Sequence, residues 1–388
     1  MKRQSHIPRP DWAQKMEALG FGFHSIDGVY WDERFSYKFE SAQIDLLDDA
    51  TAEMHRMCVN AAERVITDKR YAQFAIPEHA IALIEDSWNA DSPSLFGRFD
   101  LSWDGSMQRA RGPKMLEYNA DTPTSLIESS VAQWHWLQDV ILPQQPDADQ
   151  FNSIHEKLIS RWREIGTQLG VSQIHLACVG DSEEDLGNLE YLRDTAMQAG
   201  LDAPFVDITE IGWSSTDRQF VDAQNTGISS LFKLYPWEWL VREAFGQTLA
   251  NCNTTFIEPA WKMLLANKAI LPVLWEMYPD HPNLLPAYFE PGRIAGDYVK
   301  KPLLSREGAN VSIIKSSGDI HIPGEYGAEG FIYQGFQALP DVHDAYCGTS
   351  YTSIGSWIIG DEPAGIGLRE DESLVTKNTS RFVPHYFV

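Results

Sequence analysis

Two pairs of polar residues at strand spacing form the most informative pattern in the sequence. Arg98 and Asp100 stand two residues apart on one segment, and Glu117 and Asn119 stand at the same spacing on the next. Successive side chains of a strand point to opposite faces, so each pair lies on one face. If the two segments pair as a hairpin, a cation, two carboxylates and an amide meet on one surface. We interpret this surface as a candidate catalytic site.

Such a set of side chains favours phosphate chemistry. Two carboxylates and an amide oxygen are hard ligands that suit Mg²⁺, which keeps several waters and shares substrate phosphates. A guanidinium beside them stabilises anionic oxygens through charge-assisted hydrogen bonds. The alternative is an exposed strand face whose ions pair only with one another. The amide beside the acids and the polar run from Asp121 to Thr124 give the functional interpretation equal standing.

The same residues resemble a known family. The run EYNADTPTSL at positions 117–126, together with GRFD at 97–100, is similar to the glutathionylspermidine synthetases, a branch of the ATP-grasp ligases. The likeness extends from about residue 11 to the end of the sequence. It implies an ATP-dependent acid–amine ligase that forms an amide through an acyl phosphate, with ATP and two magnesium ions as cofactors. Arg98 is implied to contact the transition state. The residues implied to hold magnesium are Asp100, Glu117 and Asn119.

The resemblance also assigns residues to ATP. From the sequence alone, Lys301 before Pro302 indicates a lysine at a strand end, and loop 305–311 is most simply a surface turn. No P-loop and no G-x-G-x-x-G motif after a strand is present. ATP-grasp enzymes, however, place two lysines on the nucleotide phosphates and have a mobile loop nearby. The residues implied to contact ATP are Arg98, Lys268, Lys301, Arg306, Gly308, Gln334, Leu374, Val375 and Thr376.

Candidate substrate residues follow from two sources. Glu183 and Glu184 follow a predicted strand of a β-α-β unit, where open α/β sheets bind ligands, so these acids are candidates for an amine. Helix capping is the simpler explanation, because helix N-termini favour acids. The resemblance adds Thr122, Thr124 and Arg369 near the substrates. The predicted partners are a peptide-like small-molecule carboxylate and an amine, with polyamines included.

The identity of the acid and the amine stays open. Segment 232–238 resembles a family segment near the substrate but carries an aliphatic residue where the glutathionylspermidine synthetases have a hydroxyl. The sequence therefore does not assign glutathione or spermidine. Bifunctional members of the family carry a separate amidase domain ahead of the synthetase, and a chain of 388 residues leaves no room for it. The main alternative function is a non-catalytic nucleotide-binding or polyamine-binding protein that retains the cleft. A glycoside hydrolase using paired acids is less favoured because of the lysine motifs.

Charge and composition argue against two classes of partner, nucleic acids and membranes. Lys plus Arg total 31 against 55 Asp plus Glu, giving a net charge of −24, which argues against nucleic-acid binding. No apolar run approaches the roughly 18 residues of a membrane span, and the N-terminus lacks a secretory apolar region. Cysteines 58, 178, 252 and 347 lie far apart without a C-x-x-C motif, which favours reduced thiols. We predict a cytoplasmic protein without nucleic-acid or membrane partners; its oligomeric state stays open.

The elements that must position these residues are predicted from hydrophobic periodicity. Helices are expected over Ser41–Thr67 and over about 125–140 with a capping box of Ser125 and Glu128. A further helix is expected from 153, with a second capping box of Ser153 and Glu156, to a C-cap at Gly170. The segment 174–208 predicts strand, helix, strand, and the sequence beyond 261 predicts antiparallel hairpins.

These elements predict an α/β fold. It is expected to be ATP-grasp-like, with antiparallel nucleotide-binding sheets and a small parallel β-α-β substrate domain. The predicted division is an N-terminal arm with the metal hairpin at 1–150, the substrate domain at 151–250 and the nucleotide-binding region at 251–388.

Overall fold

The protein is a mixed α/β structure in which long-range strand pairing assembles the sheets. This computed structural model describes residues 1–25, 28–344 and 348–388. Cys347, for which a reduced thiol was predicted, lies outside the described residues. Cys58, Cys178 and Cys252 are free thiols, as expected. Within the described ranges, no helix is both long enough and apolar enough to cross a lipid bilayer.

The helices and strands are listed here in chain order. The α-helices are α1 (Trp12–Ala18), α2 (Ser41–Thr67), α3 (Glu78–Asn89), α4 (Gln133–Trp136), α5 (Ile154–Leu169), α6 (Glu183–Gln198), α7 (Trp237–Leu240), α8 (Met263–Ala266) and α9 (Ile270–Met277). The strands of the N-terminal half are β1 (Lys2–Ser5), β2 (Phe35–Phe39), β3 (Phe96–Ser102), β4 (Lys114–Asn119), β5 (His175–Cys178), β6 (Phe205–Asp207), β7 (Gly212–Ser214), β8 (Gln219–Val221), β9 (Ser230–Lys233) and β10 (Thr255–Ile257). The strands of the C-terminal half are β11 (Ala287–Tyr288), β12 (Tyr298–Pro302), β13 (Ser312–Ile314), β14 (Ile320–His321), β15 (Phe331–Gly335), β16 (Asp341–Asp344), β17 (Gly348–Ile359), β18 (Glu362–Asp371), β19 (Arg381–Val383) and β20 (His385–Phe387).

Two antiparallel sheets carry most of the polar residues singled out above. The six-stranded sheet has the order β19-β18-β17-β3-β4, with β16 paired to β17, so the hairpin β3–β4 is joined to strands more than 200 residues later in the chain. The five-stranded sheet has the order β11-β15-β12-β13-β14 and is built wholly from the C-terminal part. The antiparallel strands expected beyond residue 261 are thus confirmed.

A separate four-stranded sheet is parallel, with the order β10-β9-β5-β6. Helix α6 connects β5 to the parallel strand β6, which confirms the predicted strand, helix, strand unit. Strand β10 lies past residue 250, so this sheet includes a strand from outside the predicted substrate domain of residues 151–250. The division of the chain into three domains stays a prediction.

The long helix α2 forms as its pattern predicts. Its buried residues include Leu47, Met54, Cys58, Ala61 and Val65, which recur at helical spacing and pack into the largest apolar core. The start of the helix is stabilised by a capping box that the sequence analysis did not identify. The Glu40 side chain accepts from the main-chain N–H of Gln43, and the Gln43 side chain accepts from the N–H of Glu40.

The segment after the hairpin β3–β4 departs from the expected regular helix. Ser125 has a positive φ of 67°, and Glu128 accepts a hydrogen bond of 2.5 Å from the Tyr30 hydroxyl, so the predicted capping box is wrong. The chain instead winds through two wide π-helical segments, Glu128–Ala132 and Leu137–Ile141, on either side of α4. Serine hydroxyls that bond back to main-chain oxygens four residues earlier accompany this distortion, as Ser129 does to Ser125.

The helix after it matches its prediction more closely. Helix α5 ends at Gly170 with φ of 65°, the left-handed conformation that glycine adopts readily, which confirms the predicted C-cap. Ser153 precedes the helix, but its side chain makes no capping hydrogen bond, so the second predicted capping box is also wrong. Its hydroxyl donates instead to the main-chain oxygen of Ala364.

Candidate active site

The hairpin β3–β4 brings the four polar residues together. Arg98 pairs with Asn119 and Asp100 pairs with Glu117 across the antiparallel register. The register shifts directly after Asp100, which separates this polar stretch from the rest of the hairpin. The alternate residues of β3 face the core, and Phe99 and Leu101 are fully buried there. The structure thus places all four polar side chains at one surface.

Arg98 is held on both sides by fixed acceptors. Its Nε donates to Asp100 Oδ1 at 2.8 Å, and its Nη1 donates to the main-chain oxygen of Thr124 at 2.5 Å. Burial opposes the charged form of the guanidinium, but Asp100 and Glu117 outweigh this effect and raise the pKa of Arg98. The cation is therefore permanent and its direction is set before any ligand arrives.

The donor set formed by Asp100, Glu117 and Asn119 fits a hard divalent cation. The Asn119 Nδ2 lies 3.3 Å from Asp100 Oδ2 and 3.4 Å from Glu117 Oε1, so the amide stands between the two carboxylates. A half-turn of the amide presents its oxygen instead of its nitrogen. Throughout the ranges that the structure describes, no group of three or more His, Cys, Asp or Glu side chains forms a metal cluster. Magnesium, which keeps waters and shares phosphate oxygens, suits such a small set of oxygen donors.

Two lysines lie next to this donor set. Lys268 Nζ lies 3.2 Å from Glu117 Oε2 and donates to the main-chain oxygen of Ser305 at 2.6 Å. Burial opposes ionisation of Glu117, but the positive charges of Lys268 and Lys301 outweigh it and lower the pKa of this carboxyl to about 2. Burial lowers the pKa of Lys301 to about 8, although Glu117 counteracts the shift. Glu117 is thus ionised at neutral pH.

A cavity of about 320 Å³ lies over these groups, between the two antiparallel sheets. Strands β12 and β15 of the five-stranded sheet form one wall, and the hairpin with β17 and β18 forms the other. Its volume is within the range of small-molecule sites. It brings together most of the predicted site residues. These are Arg98, Asp100, Glu117, Asn119, Thr122, Thr124, Glu184, Lys301, Arg306, Gly308, Gln334, Arg369, Leu374, Val375 and Thr376.

Part of the cavity lining is less polar. Gln334 is buried on β15 and donates to the main-chain oxygen of Met115 at 3.1 Å, which ties the two sheets together. Gly308 lies across from Val375 with φ of 72°, and a side chain at this glycine would collide with Val375 Cγ1. Loop 305–311 therefore lies directly against the chain that carries Val375 and Thr376.

Acidic side chains also line the cavity. Ser182, Glu184 and Asp185 lie there at the start of α6, the Ser182 hydroxyl accepts from the main-chain N–H of Asp185, and Glu184 Oε2 accepts from Asn378 Nδ2 at 2.7 Å. The acids occupy the first turn of α6, as the helix explanation expects, and two of them, Glu184 and Asp185, also line the cavity. Burial raises the pKa of Asp185 to about 6. The structure does not place Glu183 in the lining, and this side chain lies close to Gly22 of the N-terminal arm.

Two other predicted residues have their partners within the protein. Arg369 donates through Nη2 to the main-chain oxygens of Lys377 and Asn378, both at 2.6 Å. Lys268 does not line the large cavity but lies on a smaller one of about 40 Å³, on the other side of Arg306. Asn119, Thr122 and Arg306 line both cavities. These three residues therefore lie at the border between the two spaces.

Comparison with known proteins identifies the family of this chain. The family model described as "Glutathionylspermidine synthase preATP-grasp" matches residues 3–388. This chain belongs to that family. The resemblance proposed from the hairpin motifs is thereby confirmed over almost the entire length.

Relatives in the family differ in length. A Haemophilus influenzae protein named "Putative acid--amine ligase" is 43% identical, with 100% of both chains covered. The trypanothione synthetase of Crithidia fasciculata is 28% identical over 85% of this chain and 53% of its own. The bifunctional glutathionylspermidine synthetase/amidase of Escherichia coli is 26% identical over 89% of this chain and 58% of its own. The chain thus spans little more than half of these two longer relatives.

A solved structure supports the fold. The glutathione synthetase-like effector GSS30 from Globodera pallida, in its apo form, superposes with a TM-score of 0.62. The comparison covers 97% of this chain and 96% of the other, at 8% sequence identity. The predicted fold class, antiparallel sheets with a smaller parallel unit in a glutathione synthetase-like arrangement, is confirmed.

Short-range sequence patterns do not reveal the polar residues that connect the elements around the site. Asp121 and Lys233 form a buried ion pair of 2.7 Å next to the family motif, and Glu238 receives a hydrogen bond of 2.9 Å from Arg306. The sequence did contain a signal for the lysine. Lys233 is the last residue of the buried strand β9, and a charge at the end of a buried strand needs a partner.

Proposed function

We propose that this chain is an ATP-dependent carboxylate–amine ligase that forms an amide through an acyl phosphate. The observation that carries the proposal is the convergence of Arg98, two carboxylates and an amide on one wall of a cavity whose other wall carries Lys301. Family membership and the names of the relatives support the same reaction class. The non-catalytic alternative lacks a comparable observation.

ATP occupies the large cavity in this proposal. Its phosphates lie near Lys301, which lines this cavity, and near Lys268, which reaches Glu117 from the smaller cavity; both lysines supply positive charge. The base lies near Gln334, Leu374 and Thr376. Two magnesium ions held by Asp100, Glu117 and Asn119 would supply charge neutralisation for the phosphate oxygens.

The chain's own residues then direct two displacements. In the first, an oxygen of the substrate carboxylate forms a bond to the γ-phosphorus, and the bond between this phosphorus and the β–γ bridging oxygen breaks, releasing ADP. In the second, the amine nitrogen forms a bond to the acyl carbon, phosphate leaves, and the nitrogen loses its proton. Both steps build negative charge on oxygen. Arg98, already oriented by Asp100 and the oxygen of Thr124, stabilises that charge.

The substrates are a peptide-like carboxylate and an amine, with polyamines as candidates. Glu184 and Asp185, which line the cavity, are suited to receive a cationic amine. Thr122, Thr124 and Arg369 line the same cavity. We also propose a cytoplasmic location, in agreement with the three described free thiols.

ADP release measured against a panel of carboxylates and amines tests the function. The expected result is release that requires both a carboxylate and an amine, with stoichiometric amide in the product. The matched control is Asp100→Asn with Glu117→Gln, which removes both carboxylates with little change in volume and should abolish release. Tight ATP binding with no amine-dependent ADP release for any pair would favour the binding-protein alternative.

A further inference from the structure

A buried ion pair outside the phosphate and metal contacts lies directly beside the site. Asp121 is 1% exposed and Lys233 is fully buried, and Lys233 Nζ lies 2.7 Å from Asp121 Oδ1. The other Asp121 oxygen accepts from the main-chain N–H of Trp237 at 2.8 Å, and Lys233 also donates to the oxygen of Tyr235. The pair therefore joins the chain after β4 to the start of helix α7.

Helix α7 in turn holds the loop that borders the cavity. Its residue Glu238 accepts from Arg306 Nε at 2.9 Å, and Arg306 Nη1 donates to Thr122 Oγ1 at 2.8 Å. Thr122 immediately follows Asp121. A closed circuit of contacts thus runs from Asp121 to α7, across to Arg306 and back to Thr122.

Stability alone is a weak reason for such a pair. Removing two charges from water costs several kcal/mol, and apolar replacements of buried ion pairs are often neutral or stabilising. Buried ionic groups can instead specify one geometry. Here the geometry concerns Arg306, which lines both cavities, including the one proposed for ATP.

We propose that Asp121 and Lys233 are positioning residues that hold α7, and through Glu238 the Arg306 guanidinium, at the border of the nucleotide cavity. This inference rests on the proposed function, because Arg306 is taken to act on bound nucleotide. Neither Asp121 nor Lys233 contacts the ligand in this proposal. Their effect on turnover passes through Arg306.

A double-mutant cycle tests this route. Asp121→Asn should lower kcat/KM about tenfold when Arg306 is present and less than about twofold in an Arg306→Ala background, because contacting networks are non-additive. Equal losses in the two backgrounds would overturn the proposal. Asp121→Leu with Lys233→Met removes both charges and leaves no unpaired lysine, and it should show the same dependence on Arg306. This second variant keeps the test valid if Asp121→Asn folds poorly.

The chain offers a matched control. Lys262 and Glu258 form an equally buried pair of 2.6 Å, and Lys262 also donates to Ser94 and to the oxygen of Phe96. Glu258 contacts α7 through its main-chain oxygen, which accepts from Trp237 Nε1 at 3.0 Å, and Glu258→Gln leaves that oxygen in place. Glu258→Gln should therefore cost the same factor with Arg306 and with Arg306→Ala. A cost that depends on Arg306 to the same degree as for Asp121→Asn would reduce the proposed role to general destabilisation.

Hydrogen exchange provides a readout without turnover. With a non-hydrolysable ATP analogue bound, amides in loop 305–311 should exchange at least about tenfold faster in Asp121→Asn than in the wild type or in Glu258→Gln. Unchanged exchange in Asp121→Asn would refute the positioning role even if ligase activity were present. Absence of amine-dependent ADP release in the wild type would instead refute the proposed function, and the exchange result would still decide how Asp121 and loop 305–311 are coupled.

Discussion

Lys301 donates a hydrogen bond of 2.9 Å to the main-chain oxygen of Leu116, the residue directly before Glu117. This contact joins β12 of the five-stranded sheet to β4 of the six-stranded sheet across the base of the cavity. The lysine is buried although it lines a ligand-sized space. Burial lowers the pKa of Lys301 to about 8, so its charge changes within an accessible pH range.

Nucleotide binding should weaken in mildly alkaline solution. Lys301 is protonated below a pH of about 8 and becomes neutral above it, and phosphate binds the charged form more strongly. We expect ATP affinity to fall between pH 7 and pH 9 by about tenfold. Calorimetric titration at both values measures the change. Lys301→Arg, which stays charged, should flatten the profile, and a wild-type affinity that is constant over this range would contradict the assignment.

Loss of Arg98 should affect chemistry more than nucleotide binding. The guanidinium stabilises charge that develops during the reaction, so Arg98→Ala should lower kcat by at least about 10²-fold. ATP affinity should change by only a few fold, because the lysines remain. Steady-state kinetics and direct ATP titration separate the two effects. Arg98→Lys keeps a charge but loses the fork between Asp100 and Thr124, and we expect little recovery. Unchanged turnover in Arg98→Ala would refute this role.

Glu128 should make the folded protein less stable at high pH. Burial raises the pKa of this carboxyl to about 7, although the hydrogen bond from Tyr30 opposes the shift. The folded state therefore binds a proton more strongly than the unfolded chain between the ordinary value and pH 7. The free energy of unfolding should fall as pH rises through this window.

Replacing the carboxyl by an amide removes this effect. Glu128→Gln can still accept the Tyr30 hydrogen bond but cannot ionise, so it should be more stable than the wild type at pH 8, by on the order of 1–3 kcal/mol. At pH 5 the two proteins should unfold at similar denaturant concentrations. Urea titrations at the two pH values provide the measurement, and an equal difference at both would exclude ionisation as the cause.

Gly308 should be required for loop 305–311 to lie against Val375. Gly308→Ala places a methyl group at positive φ and against Val375 Cγ1, so ATP affinity should drop by about three- to tenfold. Val375→Ala in the same protein removes the collision and should restore part of the loss. Val375→Ala alone measures the intrinsic cost of the smaller side chain. No effect of Gly308→Ala on affinity would indicate that ATP does not bind beneath this loop.

The polar face of the hairpin was predictable because strand alternation is a local property. The spacing of Arg98 and Asp100, and of Glu117 and Asn119, determines which side chains share a face, and the register places the pairs opposite each other. The neighbouring strand β17 was not predictable as a partner, since no local rule specifies a pairing across more than 200 residues. Family resemblance, not periodicity, connected the hairpin to the lysines of the C-terminal region.

The errors have identifiable physical causes. The segment after Ser125 carries a helical pattern, but Glu128 accepts a hydrogen bond from Tyr30 and the serine hydroxyls bond to the main chain, so a regular capped helix does not form. Asp121 is recognisable in the sequence only as part of the polar run to Thr124, because its partner Lys233 lies 112 residues away. Buried charge pairs of this kind depend on tertiary contacts that short-range patterns do not contain.

The pairing of β3 with β17 has a consequence for the order in which the molecule is made. Arg98 and Asp100 leave the ribosome long before Gly355 and Trp357, the residues opposite them on β17. The edge of β3 that pairs with β17 therefore stays unpaired until β17 has been synthesised. Until then the nascent chain lacks a completed wall for its nucleotide cavity, and this exposed edge is where transient protection by a chaperone would matter most.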